Sequence, residues 1–420
     1  MLRELGVDVY RMSLSWTRIL PNGFSNRINQ AGVDFYNGYI DELLKYNITP
    51  VVTLYHWDLP KNLQDLGGFS SPMMADWFED YSRIAFDLFG DRVKHWITFN
   101  EPSQICYFGY GTDWLAPRLN VTDVGTYYCA KHLVLAHARA YHVYNDEFRS
   151  SQGGVIGITV QITWYSPLSE SEEDAFAAEL ALQGEVGIYS HPIFSKEGGY
   201  PKEFAERVAD RSAQQGYPRS RLPEFTDEER KSALGTADFF GINHYSGWMV
   251  SASECVVEFP ETSYFDDVGV GFCMPEEWEK ASDFMALAPN SLFHVIAHVS
   301  KTYDNPPIFI TENGWPTSSD VGLDDDQRIK YYRAAWESLL DALEMGYDVR
   351  GYMAWTLMDN FEWMSGYTER FGFYEVDFTS PDKSRVPKKS AFVYKELIRT
   401  RRVDPEYAPD NMTMWIDEGH

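Results

Sequence analysis

His95-Trp96-Ile97-Thr98-Phe99-Asn100 is an apolar run of strand length that ends on a carboxylate and a proline, Glu101-Pro102. Its β-branched and aromatic content reads as a strand buried on both faces. Six further runs of this kind flank it, at 7–14, 50–56, 155–162, 239–245, 307–311 and 349–357, each bounded by polar or turn residues. Between them lie helical patterns. Met74, Trp77, Tyr81, Ile84 and Leu88 recur in steps of three and four, as do Ile329, Tyr332, Trp336, Leu339 and Leu343, which marks one face of a helix. Strands alternating with helices imply right-handed crossovers and a parallel sheet, and a series this long closes most naturally as a (β/α)8 TIM barrel.

The competing α/β architecture is an open doubly wound sheet, but no Gly-rich dinucleotide turn follows the first run. A closed barrel needs eight strands, and seven runs are visible. Leu2-Arg3-Glu4-Leu5-Gly6 reads as the last turn of a helix with its glycine cap, so the expectation is a barrel lacking its first βα unit. That barrel is assigned to residues 1–400, with an irregular acidic insertion at 251–282 and a surface extension at 401–420.

The chain has 420 residues, 44% hydrophobic and 16% aromatic, enough for a large core. Its longest apolar runs are strand-sized, far short of a bilayer span, so no membrane insertion is expected. With 36 basic and 63 acidic residues the net charge is −27, which disfavours nucleic acid and anionic membrane surfaces as partners. A neutral small molecule remains. Thirteen Trp and twenty-seven Tyr suit the faces of sugar rings or simply fill a core.

Cys106, Cys129, Cys255 and Cys273 show no CxxC spacing and no His cluster, so no metal is expected and free buried thiols are the default reading. No cofactor is expected. Asn120-Val121-Thr122 and Asn411-Met412-Thr413 are glycosylation sequons in loop-like stretches, and Asn47-Ile48-Thr49 is a third running into a strand. They lean toward a glycoprotein of a secretory lumen, although the first residues carry no signal-peptide pattern.

In a parallel barrel the active site lies at the C-terminal ends of the strands. Two runs close on carboxylates: Glu101 after 95–100, and Glu312 after 307–311. Most acidic residues of such a chain are solvated surface charges, but a carboxylate closing an apolar strand is partly desolvated, which costs energy unless partners or a function hold it there. Paired carboxylates about 5–5.5 Å apart are what a retaining glycosidase requires.

The sequence around these residues resembles glycoside hydrolase family 1, the β-glucosidase family, over nearly the whole chain. Thr98-Phe99-Asn100-Glu101-Pro102 is similar to the family's acid/base motif, and Ile310-Thr311-Glu312-Asn313-Gly314 to its nucleophile motif. Four more segments match in order: 10–16, 54–60, 241–245 and 354–363. The resemblance implies Glu312 as nucleophile and Glu101 as acid/base. It implies Arg11 and Tyr245 as supports of Glu312, and His56, Asn100, Asn243, Tyr245, Trp355, Glu362, Trp363 and Phe371 as sugar-binding residues. A carboxylate at Glu362 disfavours 6-phosphosugars. Glucosides are the family default. Retention of Glu101 separates the chain from plant thioglucosidases, while an animal-type thioglucosidase (myrosinase) stays open. So does an impaired relative acting as a carbohydrate-binding or receptor-like protein, because the family's first strand, with its sugar-binding glutamine, has no counterpart here. Oligomeric state is left open.

Overall fold

The computed structural model describes residues 1–416. Seven parallel strands form one sheet: β1 Val9–Ser13, β2 Thr49–Tyr55, β3 His95–Asn100, β4 Val155–Gln161, β5 Phe240–Asn243, β6 Ile308–Glu312 and β7 Val349–Tyr352. Each pairs with the next in chain order. Every apolar run of the sequence therefore supplies one strand. The runs at 239–245 and 349–357 are longer than their strands, because their last residues bend into the mouth.

Helices fill the crossovers. α1 Gln30–Lys45 joins β1 to β2, α2 Met74–Phe89 joins β2 to β3, and α3 Gly125–Val143 lies between β3 and β4. α4 Ser291–Thr302 precedes β6, α5 Asp326–Glu344 joins β6 to β7, and α6 Lys389–Thr400 follows. On α2 the buried face carries Met74, Phe78, Tyr81, Ala85 and Phe89. The expected stripe holds Tyr81 and Met74, but Trp77, Ile84 and Leu88 flank the face and are only partly covered. Trp16 stacks on Tyr81 with ring centroids 4.4 Å apart, and each such buried side chain stabilises the fold by roughly 1.5–3 kcal/mol.

The sheet curls. Val9, Val51, Ile97, Val155, Phe239, Phe309 and Met353 form one apolar cluster, with one residue from, or next to the end of, each strand. Such a ring requires every strand to turn one face to a common axis, which makes this an α/β fold of the TIM-barrel class. β1 and β7 end the strand order and flank a cavity of about 600 Å³ that reaches from Val9 and Met353 to His56 and Trp355.

Residues 251–282 contain a short helix, Tyr264–Val268, and two short strands, Gly271–Cys273 and Lys280–Ser282. The reading of the cysteines as free thiols is corrected: Cys106 is bonded to Cys129, and Cys255 to Cys273. Their separations of 23 and 18 residues carry no spacing signal, and only the fold brings each pair within bonding reach. The first bridge ties the helical segment after β3 to α3, and the second closes the 251–282 segment. Of the extension at 401–420, residues 417–420 lie outside the described residues.

Candidate active site

The two carboxylates sit at the ends of β3 and β6, and both are buried, Glu101 at 6% exposure and Glu312 at 4%. Glu101 has φ 54°, in the left-handed region that non-glycine residues seldom use. Its N–H donates to the Thr159 carbonyl at 2.9 Å, which locks the turn and aims the side chain over the mouth.

Glu312 is held by two donors. Arg11 Nη1 lies 2.5 Å from Oε1, and the Tyr245 hydroxyl donates to Oε2 at 2.6 Å. The same guanidinium donates from Nη2 to Asn100 Oδ1 at 2.6 Å and from Nε to Thr53 Oγ1 at 3.1 Å. Its fork is thus spread over β2, β3 and β6, and charge-assisted bonds of this kind are the strong ones. Burial and the Glu312 charge push the Tyr245 hydroxyl well above its ordinary range, so it remains a donor.

Glu101 is in the opposite condition. Burial, first, and then the Glu312 charge push its carboxyl well above the usual range, against a hydrogen bond from Asn243 and the Arg11 charge, while Glu362 adds to the rise. Both causes favour the protonated form of Glu101, beside a partner held in an ion pair. Asn243 Nδ2 donates to Glu101 Oε1 at 2.7 Å and to Asn100 Oδ1 at 3.0 Å. Thr311 donates to Asn243 Oδ1 at 2.7 Å and receives a bond from Thr159 at 3.1 Å. Every strand from β1 to β6 contributes to this one network.

His56 Nε2 faces Asn100 Nδ2 at 3.2 Å. An amide N–H can only donate, so Nε2 is the acceptor and Nδ1 carries the proton. Burial, with the Arg11 charge, holds the imidazole neutral with a pKa of about 3. Its ring lies against Trp355 and Trp363, at centroid distances of 6.2 and 5.9 Å. Phe371 meets Tyr245 edge-on at 5.9 Å. Glu362 is raised to about 7 by burial and by the charges of Glu312 and Glu369, against a hydrogen bond from Trp355.

All the residues singled out in the sequence converge on the mouth. The reading missed Thr53, Thr159 and Thr311, which bridge the network, and Trp57, whose indole N–H donates to the Asn100 carbonyl at 2.9 Å. Thr53 and Thr159 share strand parity with the inward-facing Val51 and Val155. That parity was the available signal.

A TIM-class barrel whose mouth holds a buried carboxyl pushed well above its usual range beside an ion-paired carboxylate, ringed by indoles and amides, defines a glycoside hydrolase. Residues 1–403 match the family model "Glycosyl hydrolase family 1", and the chain belongs to that family. It is 39% identical over 405 residues to the human cytosolic beta-glucosidase, covering 96% of this chain and 86% of that protein. It is 41% identical over 412 residues to human lactase/phlorizin hydrolase, covering 97% of this chain and 21% of that one. The solved structure of an aphid myrosinase superposes with a TM-score of 0.89 at 38% identity, over 94% of this chain and 85% of that one.

Proposed function

We propose that the protein is a retaining β-glycosidase acting on β-glucosides and related β-glycosides, with Glu312 as nucleophile and Glu101 as acid/base. The observation that carries this reading is the opposite state of the two carboxyls. Arg11 forms an ion pair with Glu312 and Tyr245 donates to it, while burial and the Glu312 charge push the Glu101 carboxyl well above its usual range.

A Glu312 oxygen attacks the anomeric carbon as the bond to the leaving oxygen breaks, and Glu101 gives that oxygen its proton. With Oε1 of Glu101 accepting from Asn243, Oε2 is the oxygen free to carry the proton. Once the glycosyl bond has neutralised Glu312, the charge that raised Glu101 is gone. Glu101 is then a better anion and takes a proton from the water that attacks the same carbon. Two inversions retain configuration.

Asn100, Asn243, His56, Trp355, Glu362 and Trp363 supply amide, imidazole, indole and carboxylate partners for sugar hydroxyls, and Phe371 borders the ring. The similarity to a cytosolic beta-glucosidase and to lactase/phlorizin hydrolase supports O-glycosides, and a proton-holding carboxyl at Glu101 serves an oxygen leaving group. The likeness to a myrosinase makes a β-thioglucoside the second substrate to assay. Among the described residues, no helix is long and apolar enough to cross a membrane. Two disulfides and three sequons on exposed asparagines, Asn47, Asn120 and Asn411, favour an oxidising, glycosylating compartment.

The test is hydrolysis of p-nitrophenyl β-glucoside, with the first-formed sugar followed by proton NMR. The β-anomer should appear first and Glu312→Ala should abolish turnover. First appearance of the α-anomer, or turnover that survives Glu312→Ala, would refute the reading.

A further inference from the structure

Four side chains from three segments form one row beside Glu101. Gln104 Nε2 donates to Gln161 Oε1, and Gln161 Nε2 donates to Thr163 Oγ1 at 3.1 Å. Thr163 Oγ1 donates to Glu185 Oε1 at 2.9 Å, and the Thr163 N–H to Glu185 Oε2 at 3.2 Å. None of these residues belongs to the network that holds the two catalytic carboxyls.

The row has a direction, and its far end sets it. An ionised Glu185 accepts only, so the Thr163 hydroxyl must donate to it and must in turn receive a hydrogen from Gln161. The Gln161 amide therefore turns its carbonyl to Gln104, and Gln104 must answer with its NH2. On Gln104 the carbonyl oxygen and the second amide hydrogen are left over. Gln104 Oε1 is an acceptor that the row does not use, on a residue one turn beyond Glu101, whose carbonyl receives the Gln104 N–H at 3.1 Å. Residues three apart on a helical turn share a face. Gln104 also lines a recess of about 260 Å³ with Trp57, Tyr110, Leu115, Pro117 and Trp363, and Trp363 borders the sugar-side cavity as well.

We infer that Gln104 reads the leaving group, its carbonyl oxygen accepting a hydrogen bond from a hydroxyl of the departing alcohol, with Glu185, Thr163 and Gln161 as the positioning residues that turn it that way. This rests on Glu101 being the acid, since the group it protonates must depart past that side of the mouth. The ligand class selected is a hydroxyl-bearing alcohol such as a second sugar, over an apolar phenol. Burial raises Glu185 to about 7 against its bonds from Thr163. The ionisable groups facing it are Tyr165, Tyr189 and Tyr264, all pushed further up by burial, so the row is set as described once the pH exceeds that value.

The experiment compares kcat/KM for a β-linked glucose disaccharide and for p-nitrophenyl β-glucoside at pH 8. Gln104→Leu should lower the disaccharide value about five- to tenfold, the worth of one neutral hydrogen bond, and leave the nitrophenyl value within about twofold. Glu185→Gln should produce the same selective loss. Its amide oxygen takes the Thr163 N–H, its NH2 donates to the Thr163 hydroxyl, and the row reverses to present Gln104 as a donor. Thr163→Ser keeps the hydroxyl and should keep the ratio. Equal losses on both substrates, or an unchanged ratio in Gln104→Leu or Glu185→Gln, overturn this inference alone. Absence of turnover of both substrates by the unsubstituted protein overturns the glycosidase reading and this inference with it.

Discussion

Arg11 on β1 meets Glu312 on β6 across 301 residues of sequence, at 2.5 Å, with side-chain exposures of 7% and 5%. Water screens such a pair poorly, and the guanidinium also donates to Asn100, Thr53 and the Thr311 carbonyl. Removing the cation leaves a buried carboxylate with Tyr245 as its one remaining side-chain donor among the described residues. Arg11→Met should therefore lower kcat/KM at least about a hundredfold and cost roughly 3–5 kcal/mol of stability. Arg11→Lys restores the charge without the fork and should fall between. Steady-state kinetics and thermal melts of the two variants check both statements.

In the proposed mechanism the raised Glu101 carboxyl fixes the alkaline side of the pH profile. That carboxyl must hold a proton for the first step, so kcat/KM should fall as pH rises through its folded value. Since the Glu362 charge contributes to that elevation, Glu362→Gln should move the falling limb to lower pH. A limb that stays in place would show that Glu362 does not act on Glu101.

Glu185 gives a stability signature of its own. Its folded value of about 7 lies above the ordinary 4.5. Below pH 4.5 both the folded and unfolded states hold the proton. Between 4.5 and 7 the unfolded chain releases it first, so stability drains away as pH rises through that window, by roughly 3 kcal/mol at most. Glu185→Gln removes that titration, and denaturant melts at pH 4.5 and 7.5 should differ less in the variant than in the parent.

The Cys106–Cys129 bridge closes a loop of 23 residues between the segment carrying Gln104 and α3. Chain entropy values such a link at about 3 kcal/mol. Cys106→Ser together with Cys129→Ser should lower Tm by several degrees and weaken activity with it. Opening Cys255–Cys273 should lower Tm with little change in kcat.

The strands were legible because each is a short apolar run with its own boundaries, and Glu101 and Glu312 because each closes such a run. Local pattern failed where the structure depends on distant partners. Trp77 and Leu88 have the period of α2 but flank its buried face, since the sheet and α3, not the helix alone, decide which side faces in. No spacing pairs Cys106 with Cys129. The Gln104, Gln161, Thr163 and Glu185 row includes one bond between residues 57 positions apart, and ordinary polar side chains carry no mark of such a relation until the barrel curls.

In the proposed mechanism Glu312 forms a covalent bond to the sugar. Glu101→Gln cannot supply a base for water, so with 2,4-dinitrophenyl β-glucoside, whose leaving group needs no acid, the glycosyl-enzyme should accumulate. Peptide mass spectrometry of that variant should find one hexosyl group on Glu312. An adduct on another residue, or dinitrophenolate release in a full single turnover with no adduct at all, would contradict the account.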